Sequence, residues 1–314
     1  MNTEKKWDII GFGNIAVDDL LFVQSFPQAN TKTEAAARLR QGGGLAGTAM
    51  VAASRLGAHT AYCGVLGDDE LSEFIIQEFE KEGVSTELCF TKRNARPIYS
   101  TIIIDQSNGS RTVFYITDGF QAPAIKDITM ELISQCKLVF LDSYLLEIVP
   151  HLLMVAHQND IPVIADIETD EITQIPNTLD QIDYLIFSKD LAEKITRKTN
   201  VKGILTALQS STRRCSVITA GREGCWYLEK GKPVYYQPAY QVNEVDTTGC
   251  GDVFHGAFAA ALIRNENISN CVIQASAAAA IKATQEGGRK GIPDLISLLD
   301  FISKHPEIIP VEVA

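Results

Sequence analysis

The chain predicts an α/β protein with a mostly parallel central sheet, helices on both faces, and a small β-sheet lid. Three observations carry this expectation. Strand-like and helix-like runs alternate along most of the 314 residues, the pattern that parallel strands with helical crossovers produce. Two stretches, about 18–41 and 96–117, hold short strand-like runs without helices. From Gly251 onward the chain reads as helical. The length suits one domain over residues 1–314, with those two stretches as lid segments.

Taken in order, the first strand is expected at about Asp8 to Gly13. A helix follows from about Leu45 to Leu56, closed by Gly57. Thr60 to Val65 reads as a strand, and Asp69 to Glu82 as a helix ending at Gly83. Further strands are expected at Leu138 to Leu141, Val163 to Asp166, Tyr184 to Phe187 and Ser216 to Thr219, with helices between them. Ile98 to Ile104 and Thr112 to Ile116 flank Ser107-Asn108-Gly109-Ser110, a hairpin signal. Both helix-free stretches together read as one antiparallel sheet; an ordinary hairpin at the sheet edge is the alternative. Tyr240 to Val245 reads as strand-like. Asp252 to Arg264 and Ser269 to Thr284 are Ala-rich and read as amphipathic helices, and a last helix starts near Pro293.

The formal net charge of −11 disfavours a phosphate-rich polymer, so nucleic acid is not an expected partner. A small anion stays open, because backbone dipoles and a metal ion bind it locally. No apolar run approaches the roughly 20 residues that span a bilayer, so no membrane is expected. The start, Met1 to Trp7, leads into Ile9-Ile10 without a signal-peptide apolar region. Seven cysteines without a C-x-x-C pair suit reduced thiols and a cytoplasmic location better than disulfides or zinc.

Asp246-Thr247-Thr248-Gly249-Cys250-Gly251-Asp252 is the most informative segment. Its glycines permit a tight turn that exposes backbone N–H groups, and the helix that follows adds its positive end. The amides of Gly249, Cys250 and Gly251 form the expected anion pocket. Asp252 beside them is placed to take a proton from an attacking hydroxyl; a helix cap is the alternative. Cys250 is either a thiol activated by the helix dipole or a small, inert packing residue.

This segment resembles the D-T-x-G-A-G-D signature of the ribokinase-like (PfkB) family of carbohydrate kinases, with Cys250 in place of alanine. Gln41-Gly42-Gly43-Gly44-Leu45-Ala46-Gly47-Thr48-Ala49, running to Arg55-Leu56-Gly57, resembles the family's sugar-binding segment. Gly64-Val65-Leu66-Gly67-Asp68-Asp69 is a third similarity. The resemblance implies a ribokinase-like three-layer α/β/α sandwich and transfer of the γ-phosphoryl group of ATP to a sugar hydroxyl. Asp252 is then the catalytic base, and Asp18, Gly42, Gly43 and Asp142 meet the sugar. Ser188, Thr219, Gly221, Gly224, Gly249 and Gly251 meet ATP. Asp246, Thr248 and Gly291, with the loop Gly287 to Gly291, correspond to a monovalent-cation site for K+.

The chain departs from the family pattern in informative places. Many members carry asparagine where Gly47 stands. The N-x-x-E segment that organises Mg2+ appears as Ser188-Lys189-Asp190-Leu191, so either Asp190 substitutes, or Asp166 and Glu168 hold the metal through water. Ser188-Lys189-Asp190 and Gly109-Ser110-Arg111-Thr112 resemble ketohexokinases. Asp252-Val253-Phe254-His255-Gly256 and Gly287-Gly288-Arg289 through Asp294 are similar to sulfofructose kinases, whose arginine for the substrate anion aligns with Tyr144. Lys32, Arg38 or Arg96 would have to replace it. A neutral ketohexose such as fructose is the substrate this comparison favours. A nucleoside, a phosphorylated sugar and a sulfosugar are the alternatives, and a catalytically silent sugar-binding regulator is the alternative of another class. A homodimer through the lid is a further expectation. His255 is assigned no role.

Overall fold

Runs such as Ile9-Ile10 and Leu138 to Leu141 are wholly or almost wholly buried, as strands covered on both faces must be. The computed structural model describes residues 5–313, so the start read from Met1 to Trp7 lies partly outside the described residues. The chain opens with β1 (Trp7–Phe12), β2 (Ala16–Val23) and β3 (Ala37–Gly43), and returns through α1 (Leu45–Arg55) to β4 (Thr60–Tyr62). Next come β5 (Val65–Leu66), α2 (Glu70–Lys81), β6 (Val84–Ser85), β7 (Phe90–Thr91), β8 (Ile98–Asp105) and β9 (Arg111–Ile116). The middle of the chain gives α3 (Met130–Ile133), β10 (Cys136–Asp142), α4 (Val149–Gln158), β11 (Val163–Asp166), β12 (Tyr184–Ser188), α5 (Lys189–Thr196) and α6 (Val201–Ala207). It ends with β13 (Cys215–Thr219), β14 (Cys225–Glu229), β15 (Val234–Gln237), α7 (Cys250–Ile263), α8 (Ile268–Ala283), α9 (Leu295–Ser303) and β16 (Val311–Glu312).

The large sheet has ten strands in the order β16-β15-β14-β13-β12-β11-β10-β1-β4-β6. From β6 to β13 neighbours are parallel; from β13 to β16 they are antiparallel. Alternate residues of β1 feed two cores. Ile9 packs with Phe140, Ile164 and the residues of α1, α7 and α8. Ile10 and Phe12 pack with Val139, Leu141 and the residues of α4 and α5 on the other face. The result is a three-layer α/β/α arrangement. The carboxyl ends of β10 and β11 lie side by side, with Asp142 opposite Asp166, and such ends border the usual ligand crevice of open α/β sheets.

The small separate sheet has the order β3-β2-β8-β9, with Leu20, Phe22 and Ile102 buried at its centre. It is not wholly antiparallel: β2 and β8 run parallel, with Asp18 opposite Ser100. β2 follows β1 and β8 follows the β7 segment, so two separate excursions supply its central pair in one direction.

Other expectations need correction. Residues 60–65 are not one strand, because the chain leaves the large sheet after Tyr62 and Val65–Leu66 pairs with Phe90–Thr91 instead. Tyr240 to Val245 is irregular; the Tyr240 ring packs on Phe301 and His305, and Val245 makes an isolated backbone bond to Ala283. Helix α7 is buried continuously from Val253 to Ala261, so it is a core helix rather than an amphipathic one. The chain from Gly251 onward is not all helix, since β16 adds an edge strand after α9.

Candidate active site

The segment 246–252 is a stiff wall. Asp246 accepts hydrogen bonds from the Thr248 amide (2.8 Å) and the Gly287 amide (2.9 Å), tying two glycine-containing loops together. Gly249 takes φ +76° as the N-cap of α7, and a Cβ there would lie 2.8 Å from the Gly288 carbonyl oxygen. Glycine is therefore demanded twice, by conformation and by space. The Cys250 amide turns back to the Thr247 carbonyl at 3.2 Å, so Cys250 does not contribute an open donor as expected. The amides of Gly249, Gly251 and Asp252 have no protein acceptor among the described residues, and they point out at the positive end of a helix. Asp252 lies in the first turn of α7 and makes no side-chain cap, which removes the capping alternative.

This wall separates two cavities. The larger, about 710 Å³, is bordered by Thr219, Gly221, Gly224, Cys250 and Gly251. The smaller, about 310 Å³, is bordered by Asp18, Gly43, Tyr144, Glu168, Gly249 and Asp252. Three expected ligand contacts are not brought to either. Ser188 caps α5 by accepting from the Leu191 amide at 3.3 Å. Asp142 is fully buried and accepts from the amides of Asn14 (2.6 Å), Ala46 (3.2 Å) and Tyr144 (2.9 Å). It shapes the cavity wall without reaching the cavity, and burial pushes its carboxyl up to about 7. Gly42 faces Arg289, behind the small cavity.

The small cavity is rich in carboxylates. Asp18, on β2, lies against the Gly43 backbone so closely that a Cβ on Gly43 would sit 2.0 Å from its Oδ2. Burial raises the Asp18 carboxyl, and the Ser100 hydroxyl and the Arg289 charge pull it back. The Asp252 carboxyl is held well above the usual aspartate range by burial, then by Glu168 and Asp142, with Arg289 opposing. Asp166 is sealed off, with its Oδ2 3.3 Å from His255 Nδ1. His255 is buried, its Nδ1 also 2.8 Å from the Gly251 carbonyl, and burial lowers its pKa to about 4. Asp166 and Glu168 therefore do not face one common metal position, and Asp190 is exposed on α5. Among the described residues no group of three or more His, Cys, Asp or Glu side chains gathers to hold a metal.

The basic residues are also redistributed. Arg38 pairs with Asp19 at 2.9 Å, Arg96 with Asp118 at 3.0 Å, and Lys32 is exposed, so none of these three lines the small cavity. Arg111 does line it, reaching from β9 to Thr247 Oγ1 at 3.3 Å and Asp246 Oδ1 at 3.8 Å. Arg289, missed in the sequence except as part of a glycine-rich string, is buried and donates to the Gly43 carbonyl (2.8 Å) and Thr48 Oγ1 (3.3 Å). The Cys250 thiol leans toward the Ala279 carbonyl, and burial pushes it up to about 11. A thiol raised in this way is not the activated thiolate that the helix dipole was expected to favour.

The Asp246 oxygens expected around a monovalent cation already have donors. Both Asp246 carboxylate oxygens accept amides, its carbonyl accepts from Lys282 Nζ at 2.7 Å, and Gly291 packs against the Lys282 backbone. Thr248 Oγ1 is buried without a partner, and Thr248 borders the small cavity. The site does not fit an added potassium ion.

A carboxylate and open amides at one helix N-terminus, set between a large cavity and a small polar one, make the arrangement of a phosphotransferase acting on an alcohol. The chain belongs to the pfkB family of carbohydrate kinases, which it matches over residues 8–295. It is 26% identical over 262 residues to a ribokinase of Bacillus subtilis, covering 83% of this chain and 87% of that one. It is 25% identical over 320 residues to fructokinase-1 of Zea mays, covering 94% and 98%. The structure of Arabidopsis thaliana ribokinase complexed with ribose and ATP matches with a TM-score of 0.81 at 21% identity, over 94% of this chain and 98% of that one. No helix of the described residues is long and apolar enough to cross a membrane.

Proposed function

We propose that this protein transfers the γ-phosphoryl group of ATP to a hydroxyl of a neutral sugar of the ketohexose type, such as fructose. The observation that carries this reading is the 246–252 wall, with Gly251 facing one cavity and Gly249 and Asp252 the other. ATP occupies the larger cavity, past Thr219, Gly221 and Gly224, and the sugar occupies the smaller. Asp252 accepts the hydroxyl proton, and the open amides hold the transferring group. Asp18 and Asn14 accept from sugar hydroxyls; Asn14 Oδ1 and Thr248 Oγ1 are buried without partners, as atoms awaiting a polyol are. Magnesium neutralises the nucleotide phosphates when bound. Glu168, which borders the cavity with Asp252 and raises its pKa, is the carboxylate placed to hold it through water.

The carboxylates bordering the sugar cavity outnumber the basic side chain Arg111, and Arg111 is directed at the phosphate wall. That balance favours an uncharged substrate. Specificity constants for fructose-type sugars are expected to exceed those for their 6-phosphates and 6-sulfonates. A preference for the anionic forms would reverse the assignment and leave Arg111 as the anion's partner.

The small sheet is the lid of this reading, and its outer face is the contact of a homodimer. Arg111, Val113 and Tyr115 of β9 border the cavity, so Phe114 and Ile116 point the other way and are 56% and 57% exposed. They sit on an edge strand, whose unpaired backbone groups add to the exposed apolar surface. Sedimentation should show a dimer in the wild type and a monomer in Phe114→Glu/Ile116→Glu. A monomeric wild type at micromolar concentration rules the contact out.

A further inference from the structure

Helix α8 is built mainly of alanine and other apolar residues, yet near its C-terminal end it buries one ammonium group completely. Lys282 has no exposed surface. Burying an unpaired ammonium is costly, so such groups are retained where they have oxygens and charges to meet. Lys282 Nζ donates to the Asp246 carbonyl at 2.7 Å. Burial lowers its pKa, and the neighbouring Cys250, Asp246 and Asp252 raise it while Arg111 opposes. Arg111 approaches Asp246 from the cavity side at 3.8 Å, so two cations bracket the residue that opens the phosphate wall.

The same Asp246 ties Thr248 and Gly287 together. Lys282 therefore sits at the joint of three pieces: the start of the 246–252 segment, the 287–291 loop and the end of α8. We propose that the Lys282 ammonium is a built-in substitute for the monovalent cation of this loop, so that the enzyme needs no added potassium. An ammonium and a potassium ion carry the same charge and both attract carbonyl oxygens. The tethered group differs in being held by its own chain, without a binding equilibrium. Lys282 borders neither cavity. It is a positioning residue that steadies the amides of the wall and adds a fixed positive charge behind them. The catalytic part of this inference rests on the reading that those amides hold the transferring phosphoryl group.

The test uses the full-length protein in potassium, sodium and tetramethylammonium chloride at matched ionic strength. Two quantities are followed, the turnover of the best sugar and the thermal midpoint without substrates. Wild-type rates and midpoints are expected to agree across the three salts within about twofold and within error, respectively. Lys282→Met keeps the side-chain length and removes the charge. It is expected to turn over roughly 10- to 100-fold more slowly, the scale of losing one preorganised charge near an anion pocket. Potassium, but not tetramethylammonium, should restore part of the rate and raise the midpoint of this variant. A wild-type rate or midpoint raised specifically by potassium overturns the proposal. So does a folded Lys282→Met protein that equals the wild type, or one indifferent to potassium. If the variant does not fold, the wild-type comparison decides alone. Failure to phosphorylate any sugar would count against the proposed activity, while the midpoints would still decide the role of Lys282.

Discussion

Replacing Asp252 by asparagine is expected to lower turnover by about two to four orders of magnitude, the range for losing a positioned general base. Asparagine keeps the shape of the side chain, and Asp252 carries no capping bond whose loss would loosen α7. The open amides of the first turn are unaffected, so nucleotide affinity should change little. The pH profile adds a second signature. The Asp252 carboxyl is raised by burial and by Glu168, and a base works only when ionised. Activity should therefore fall, as pH is lowered, through a limb lying above the ordinary aspartate value, and Asp252→Asn should lose that limb. Steady-state assays across pH measure both effects. A variant with near-normal turnover would remove Asp252 from the reaction.

The second large effect is expected from Gly249→Ala. A Cβ at this position meets the Gly288 carbonyl oxygen at 2.8 Å, and φ +76° is strained for any L side chain. Conformational strain alone costs about 1–2 kcal/mol, and the clash adds to it by pushing the 246–252 and 287–291 loops apart. The amides would no longer converge on one position, so turnover should fall roughly 100-fold or more, as it does when an oxyanion donor is lost. Sugar affinity should fall less, because Asp18 and Gly43 are held from β2 and β3. Turnover, sugar KM and thermal midpoint measured together check this. Unchanged turnover would show that the wall does not position the transferring group.

Much of this architecture was legible because it depends on local pattern. Alternating strands and helices, the Gly-Ser hairpin and the 246–252 string are each specified within a few residues. What escaped depended on partners far away in the chain. The parallel pairing of β2 with β8 follows from where two excursions leave the large sheet, and no local signal carries it. Tyr240 to Val245 has strand-like residues, but its aromatic ring is claimed by Phe301 and His305. Asp142 lies at a strand end, as a ligand-binding residue would, yet three backbone amides occupy its oxygens. Lys282 and Arg289 acquire meaning only when α8 and the 287–291 loop come to rest behind the two cavities. A lysine within an alanine-rich run was the available signal for the first, and an arginine within a glycine-rich run for the second.

The position of β1 in the large sheet also bears on how the protein is made. Residues 7–12 are synthesised before both of their partners, pairing on one side with residues 60–62 and on the other with residues 136–141. Synthesis proceeds at about 5–20 residues per second, so the second partner emerges on the order of ten seconds after the first strand. During that interval Ile9, Ile10 and Phe12 cannot be enclosed on both sides, and closing so long a loop is itself slow. The nascent chain thus carries an unpaired apolar strand edge through much of its translation, the condition in which chaperone binding or self-association competes with folding.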